Sequence, residues 1–274
     1  NNLPNHAKAI DVLSILEEGT IHPIGKGKEY YLLMERVEGK DYFNDLRDFS
    51  KKNRLDSIDI EKIKKMTSYL SKIHSIKKES RSLYWRKLRD TIGHGECLMG
   101  VFDSYPDGVI SYRDMAEIEK LCIDWRVRLK PRTDRLCQIH GDFHPGNILF
   151  KINEKDLDFV LLDRSRGPYG EAADDVTALC INYIFFSIRY YGCIKNAYLE
   201  GLKLFFSEYI RLTDDKEILD IVALFFAFRG AVVANPIFYP DIDLETRMKL
   251  FRFVKGVLLD QRFDIDNINK YLET

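Results

Sequence analysis

The chain has 274 residues, 45% hydrophobic and 31% charged, with 42 Lys and Arg against 43 Asp and Glu. This is the composition of a globular protein long enough to bury a substantial core. A net charge of −1 with no long run of one sign gives no sign of a dedicated nucleic-acid binder. Cys97, Cys122, Cys137, Cys180 and Cys193 are odd in number and contain no CxxC pair, which argues against a disulfide framework and against a zinc site. Reduced, mostly buried thiols of a cytoplasmic protein are expected.

A helix is expected over Asn5 to Glu18, with Ile10, Leu13 and Leu16 on one side and Gly19 as its stop. "TIHPIGKGKEYYLLMERVEG" then reads as two strands joined by a Gly-Lys-Gly turn, the second being "YYLLMERV". Asp56 and Ser57 suit a helix N-terminus, and Ile60, Ile63, Met66, Leu70 and Ile73 recur at helical spacing up to His74. The segment 88–108 carries four glycines and Pro106, which predicts loops flanking short helices. A further helix is expected from Tyr112 to Leu129.

"QIHGDFHPGNILF" at 138–150 crowds polar groups against an apolar triplet. "NILFKI" and "FVLLD" are the arms of an expected β-hairpin, with "NEKDLD" as the turn. From Asp175 onward the chain reads as helical, and "ALCINYIFFSI" and "IVALFFAF" are core helices too short to cross a bilayer, the second closed by Arg229. No signal peptide pattern opens the sequence. The expectation is a short strand-bearing start, a helical body, one hairpin and more helices.

Asn147 opens the first hairpin arm and Asp163 closes the second, so the two end up at one edge of it. An amide oxygen beside a carboxylate offers hard oxygen ligands suited to Mg²⁺ on phosphates. Asp142, five residues before Asn147, would face the same space and accept a proton. Those are the parts of kinase-style phosphoryl transfer. A turn that uses Asp and Asn only for geometry is the plain alternative.

"HGDFHPGN" followed by "LLD" resembles the catalytic loop and metal-binding Asp of the aminoglycoside phosphotransferase and choline kinase family, whose pattern is HxDxxxxN with a later Asp. The resemblance runs from about Ala7 to Asp175, and more loosely to the C-terminus. It implies an α+β, protein-kinase-like fold: mainly the helical C-terminal lobe with a catalytic β-hairpin, plus a remnant of the N-terminal β-lobe. The implied division is 1–37 for the partial N-terminal lobe and 38–274 for the helical lobe.

By the same resemblance Asp142 is the catalytic base, and Asn147 and Asp163 are the Mg²⁺ ligands. His144 falls where protein kinases place a catalytic-loop Lys, either contacting the phosphoryl group or supporting the loop. "LLMERVEG" resembles the interlobe hinge, which implies backbone contacts to the adenine of ATP from Glu35 and Val37, and Leu149 would lie beneath the nucleotide. "YLSKIH" resembles the helix that opens the helical lobe. "GEAADDVTAL" resembles the segment in which Asp175 braces the catalytic loop, with Asp174 read as a solvated neighbour. His140 and His74 are read as structural, and the aromatic run 183–191 as core.

The implied activity is transfer of the γ-phosphate of ATP, with Mg²⁺, to a hydroxyl of a small molecule: an aminoglycoside, choline, a sugar or an amino alcohol. Neither nucleic acid nor membrane is an expected partner. "GHGE" at 93–96 is either a flap over that substrate or an ordinary loop, and the acids of "DIDLE" either attract a cationic substrate or start a helix.

Two departures stand out. Arg164 and Arg166 occupy positions where the family has an aromatic or small residue. The Gly-rich phosphate loop and strand Lys expected before the first helix are absent, and Lys26 and Lys28 lie in a turn after it. A chain beginning midway through the N-terminal lobe, as a fragment, is therefore expected, with Asn1 in place of Met. The alternative is a catalytically impaired kinase-like scaffold that binds a nucleotide or metabolite.

Overall fold

The computed structural model describes residues 11–25, 30–31, 33–152, 157–164 and 166–273. The chain divides into two units, Asn1–Val37 and Glu38–Thr274. In the first, β1 (Leu13–Ile15) pairs antiparallel with β2 (Ile21–Pro23), with Ser14 opposite His22. The Leu16 amide donates to the Thr20 carbonyl at 3.0 Å and closes the hairpin.

Two expectations fail in this unit. Residues 11–18 hold a strand and a turn where a helix was predicted, and the rest of that helix lies outside the described residues. Leu13 and Leu16 satisfy a helical period, but Leu13 and Ile15 satisfy the two-residue period of a strand equally well, and a short apolar run does not separate the two. The described part of 30–37 likewise contains no strand. Lys26, Gly27 and Lys28 fall outside the described residues, so of the Gly-Lys-Gly turn only Gly25 is described.

The second unit is helix-rich α+β. It opens with β3 (Lys40–Asp41) and α1 (Tyr42–Phe49), which sinks Tyr42, Leu46 and Phe49 into the core. The next helix, α2 (Ser57–His74), starts where Asp56 predicts. The Asp56 carboxylate accepts from the Ile58 and Asp59 amides, and the Asp59 carboxylate accepts from the Asp56 amide, closing a capping box worth about 1 kcal/mol. Its buried face is Ile63, Met66 and Leu70.

Two helices follow, α3 (Arg81–Gly93) and α4 (Leu98–Asp103). They lead to α5 (Tyr112–Leu129), capped by the Ser111 hydroxyl accepting from the Asp114 amide. A two-residue strand, β4 (Cys137–Gln138), enters the polar loop. The hairpin is β5 (Ile148–Ile152) and β6 (Leu157–Leu161), paired from Ile148 opposite Leu161 to Ile152 opposite Leu157. Of the expected turn "NEKDLD", residues 153–156 lie outside the described residues, while Leu157 and Asp158 belong to β6, which starts two residues earlier than expected. β3 adds to β5 on the other side, with Asp41 opposite Leu149. β7 (Tyr169–Gly170) pairs with β4.

The remainder is α6 (Ala172–Tyr191), α7 (Asn196–Thr213), α8 (Val222–Ala234) and α9 (Leu244–Leu259). α6 is buried from Ala172 to Ile188, so the apolar runs read as core helices are core helices. Each Leu, Ile or Phe buried there contributes about 1.5–3 kcal/mol. Gly230 lets α8 approach α9, because a Cβ on it would stand 2.4 Å from Val254 Cγ2. Among the described residues no helix is long and apolar enough to cross a membrane. All five cysteines are free, and Cys122, Cys137 and Cys180 are buried.

Candidate active site

The polar loop between β4 and β5 hangs from the first turn of α6. Asp175, fully buried, accepts from the His140 amide through Oδ2 and from the Gly141 amide through Oδ1, each at 2.7 Å. His74 Nε2 lies 3.2 Å from Asp175 Oδ2, and its Nδ1 meets the Tyr209 hydroxyl at 2.8 Å. Burial pushes the Asp175 carboxyl up, but His74 and the two amides outweigh it and hold the group below the usual carboxylate range.

Gly141 turns the loop at φ +91°, and a Cβ there would meet Arg166 Cβ at 3.2 Å. His140 is buried, with Nδ1 accepting from the Asp142 amide at 3.3 Å and its ring edge-to-face against Phe143.

The turn puts the Asp142 side chain, 15% exposed, at the mouth of a charged cluster. Arg229 Nη1 donates to its Oδ1 at 2.5 Å, and Arg166 Nε stands 4.0 Å from the same oxygen. His144 Nε2 is 3.7 Å from Oδ2. Burial raises the Asp142 pKa, while Arg229, Arg166 and His144 lower it by more, so the carboxyl is held below its ordinary value. His144 Nδ1 accepts from the Gly146 amide at 3.0 Å, which leaves Nε2 to carry the proton of the neutral ring. Burial is the main cause of its lowered pKa, so the imidazole facing Asp142 is neutral at pH 7.

Asn147 ends the 3-10 turn Pro145–Asn147 and is 8% exposed. Its Nδ2 donates to the Asp142 carbonyl at 3.0 Å, which directs the amide oxygen away from the loop backbone. The Leu162 amide donates to the Asn147 carbonyl at 2.9 Å, one pair beyond Ile148 and Leu161. Asn147 and Asp163 are thereby brought to one edge of the hairpin. Asp163 is exposed and left-handed at φ +51°.

Asn147 and Asp163 supply one amide and one carboxylate oxygen, a donor set that fits Mg²⁺ keeping several waters. Among the described residues no group of three or more His, Cys, Asp or Glu could hold a metal ion. Leu149 is half-buried on the strand face opposite Ile148 and Phe150. Glu35 and Val37 belong to the first unit, Glu35 exposed and Val37 half-buried.

One expectation is overturned here: Asp174 is not a solvated neighbour. It is 6% exposed, and its Oδ1 accepts from Arg229 Nη2 at 2.6 Å. A carboxylate on the buried side of a helix is dictated by the cation it faces, and that cation lies on another helix. In sequence, Arg229 reads only as the residue that closes an apolar run. The available signal was a single Arg inside "LFFAFRGAVVA", since a guanidinium in a buried helix requires an anionic partner.

The two arginines after Asp163 also have work in the loop. Arg164 Nη2 donates to the Ile139 carbonyl at 3.1 Å. Arg166 borders a cavity of about 290 Å³ that Lys87, His94, Glu96, Asp174 and Phe228 also line. Cys97 opens on this cavity, but burial pushes its thiol up to about 11, so it is no nucleophile at neutral pH. A larger open groove of about 780 Å³ runs along α2 and α7, lined by Ile60, Leu199, Leu204 and Phe206 among others, and includes none of the loop's acids.

A family model described as "Phosphotransferase enzyme family" matches residues 6–203. Among solved structures the chain is similar to an ethanolamine kinase of Plasmodium vivax, at 14% identity and TM-score 0.41, covering 96% of this chain and 66% of that one. It is also similar to a glucosamine kinase in complex with glucosamine, ADP and inorganic phosphate, at 12% identity and TM-score 0.37, covering 85% and 58%. Crystal form B of a glucosamine kinase matches at 12% identity and TM-score 0.39, covering 84% and 55%. The chain thus spans less than two thirds of the length of each. No curated protein sequence matches it.

Proposed function

The chain belongs to the phosphotransferase enzyme family, and from that membership we propose that it transfers the γ-phosphate of ATP to the hydroxyl of a small molecule. The observation that carries this reading is the hairpin register that sets Asp163 beside Asn147, with Asp142 one turn away on the same loop.

Asp142 binds and orients the acceptor hydroxyl. Its Oδ1 is occupied by Arg229, so Oδ2 is the oxygen offered to the incoming O–H. The lowered pKa keeps it ionised at neutral pH and makes it a weak base. A weak base suffices, because a loose transition state demands little proton transfer before the P–O bond to the leaving group has largely broken. The acceptor oxygen bonds to the γ-phosphorus, ADP departs, and the hydroxyl proton passes to Asp142 Oδ2 and then to solvent. His144 presents a neutral Nε2–H toward the same oxygen and can donate to a phosphoryl oxygen without fixing a charge there.

Asn147 and Asp163 would hold Mg²⁺, which supplies neutralisation of the phosphate charge when bound. Leu149 would offer an apolar strand face to the nucleotide base. The 290 Å³ cavity at Arg166, Glu96 and Asp174 is the acceptor pocket, of a size for a compact polar molecule. Glucosamine, ethanolamine, choline and simple sugars fall within that range.

The test is ADP release from MgATP by the full-length protein over a panel of those alcohols, beside the Asp142→Asn variant. Turnover with one acceptor, reduced roughly 10²–10⁴-fold by the substitution, is the expected result. Full activity in Asp142→Asn would overturn the assignment.

A further inference from the structure

We propose that Arg229 is the positioning residue of this site, a clamp on helix α8 that fixes the carboxylate of Asp142 against the N-terminal turn of α6. Arg229 is 4% exposed, and its guanidinium divides its donors among three groups. Nη1 takes Asp142 Oδ1 at 2.5 Å, while Nη2 takes Asp174 Oδ1 at 2.6 Å and the Gly141 carbonyl at 3.0 Å. The Phe228 ring lies 4.7 Å from the guanidinium carbon.

Plain neutralisation of Asp174 would favour a different geometry. A guanidinium and one carboxylate pair best through two parallel bonds. Here the fork is split, and Nε is buried with no acceptor among the described residues. A buried donor left unpaired is unfavourable, so the arrangement forgoes a bond near Asp174 in order to reach Asp142.

The consequence is a division of labour between adjacent acids of α6. Asp175 holds the loop backbone through the His140 and Gly141 amides. Asp174 holds the reactive side chain through Arg229, which also grips the Gly141 carbonyl. Both anchors stand on core helices, so the direction of Oδ2 is set by rigid elements rather than by the loop. Arg166, at 4.0 Å from Oδ1 and 23% exposed, is too loosely placed to substitute.

Arg229 has this role only if Asp142 orients the acceptor hydroxyl, as proposed above. The experiment is a double-mutant cycle on the full-length protein with MgATP and the panel alcohol that turns over, or with water as acceptor if none does. Arg229→Gln is expected to lower kcat about 30-fold or more while the KM for MgATP stays within about threefold. In the Asp142→Asn background the same substitution should add less than about threefold, because the residue it positions is already gone. Arg229→Lys, which keeps one charged donor, should recover part of kcat.

A kcat within about threefold of wild type, or an undiminished effect in the Asp142→Asn background, would overturn the clamp. Should Arg229→Gln fail to fold, Asp174→Asn takes its place, since it leaves Arg229 present and removes the anchor. The same kcat-specific loss supports the clamp and an unchanged kcat overturns it. Activity in Asp142→Asn itself would bring down the proposed function. An inactive Asp142→Asn beside a fully active Arg229→Gln would bring down the clamp alone.

Discussion

The Leu162 amide donates to the Asn147 carbonyl at 2.9 Å, and this bond carries the β5–β6 pairing one step past the end of the ladder. Its effect is to hold Asp163, the next residue, alongside Asn147 although sixteen positions separate them in the chain. A slip of one residue would turn Asp163 to the other face of the hairpin.

Asp163→Asn keeps a residue that tolerates the left-handed φ of +51° and removes only the charge. Thermal melting should therefore be unchanged within a few degrees. Calorimetric titration should show Mg²⁺-dependent nucleotide affinity reduced by about tenfold or more, equivalent to about 1.4 kcal/mol. Equal affinities in the two proteins would remove Asp163 from the metal site.

Gly141→Ala forces a Cβ into a positive-φ position 3.2 Å from Arg166 Cβ. The strain is expected to cost about 1–2 kcal/mol, lowering Tm by roughly 3–8 °C. Turnover should fall further than stability does, because Asp142 is the next residue. Differential scanning calorimetry beside a kinetic assay separates the two effects.

The lowered pKa of Asp175 has a definite consequence for acid stability. A carboxyl titrating lower in the folded state than in the unfolded chain adds stability above its unfolded value, about pH 3.9, and loses it as pH falls through the folded value. Urea midpoints should decline as pH drops below about 4, and Asp175→Asn should flatten that decline. The same variant should cost about 3 kcal/mol or more at pH 7, since an amide NH₂ would then face one of two amide donors.

Glu171, 2% exposed, accepts from the Tyr84 hydroxyl at 2.9 Å and from Arg135 Nη2 at 2.9 Å. Arg135 also donates to both oxygens of Asp215, at 2.7 and 2.8 Å. Glu171→Ala leaves a buried guanidinium half paired and is expected to destabilise the protein by about 3–5 kcal/mol. Chemical denaturation followed by tryptophan fluorescence measures this. A loss below about 1 kcal/mol would mean that Asp215, with Glu217 Oε2 at 3.6 Å from Arg135 Nη1, satisfies Arg135.

Much of this protein is legible in local sequence. Asp56 and the Ile63, Met66, Leu70 spacing give α2 its start and its buried face, and Ser111 marks α5, because caps and periodicity act within a few residues. The hairpin arms and the adjacency of Asn147 and Asp163 follow from alternation and pairing between near neighbours in the chain. Where local signals conflict they mislead, as over residues 11–18, whose apolar spacing serves a strand as well as a helix.

What tertiary structure alone decided is the electrostatic setting of the loop. Arg229 lies 87 residues from Asp142 and 55 from Asp174, so no window of sequence contains the pairs. The sequence determined that a cation stood inside an apolar helix, and burial required it to find an anion. Which anion it found depended on how α8 packs against α6. That packing made Asp174 part of the site and left Asp142 with one oxygen clamped and the other directed toward His144.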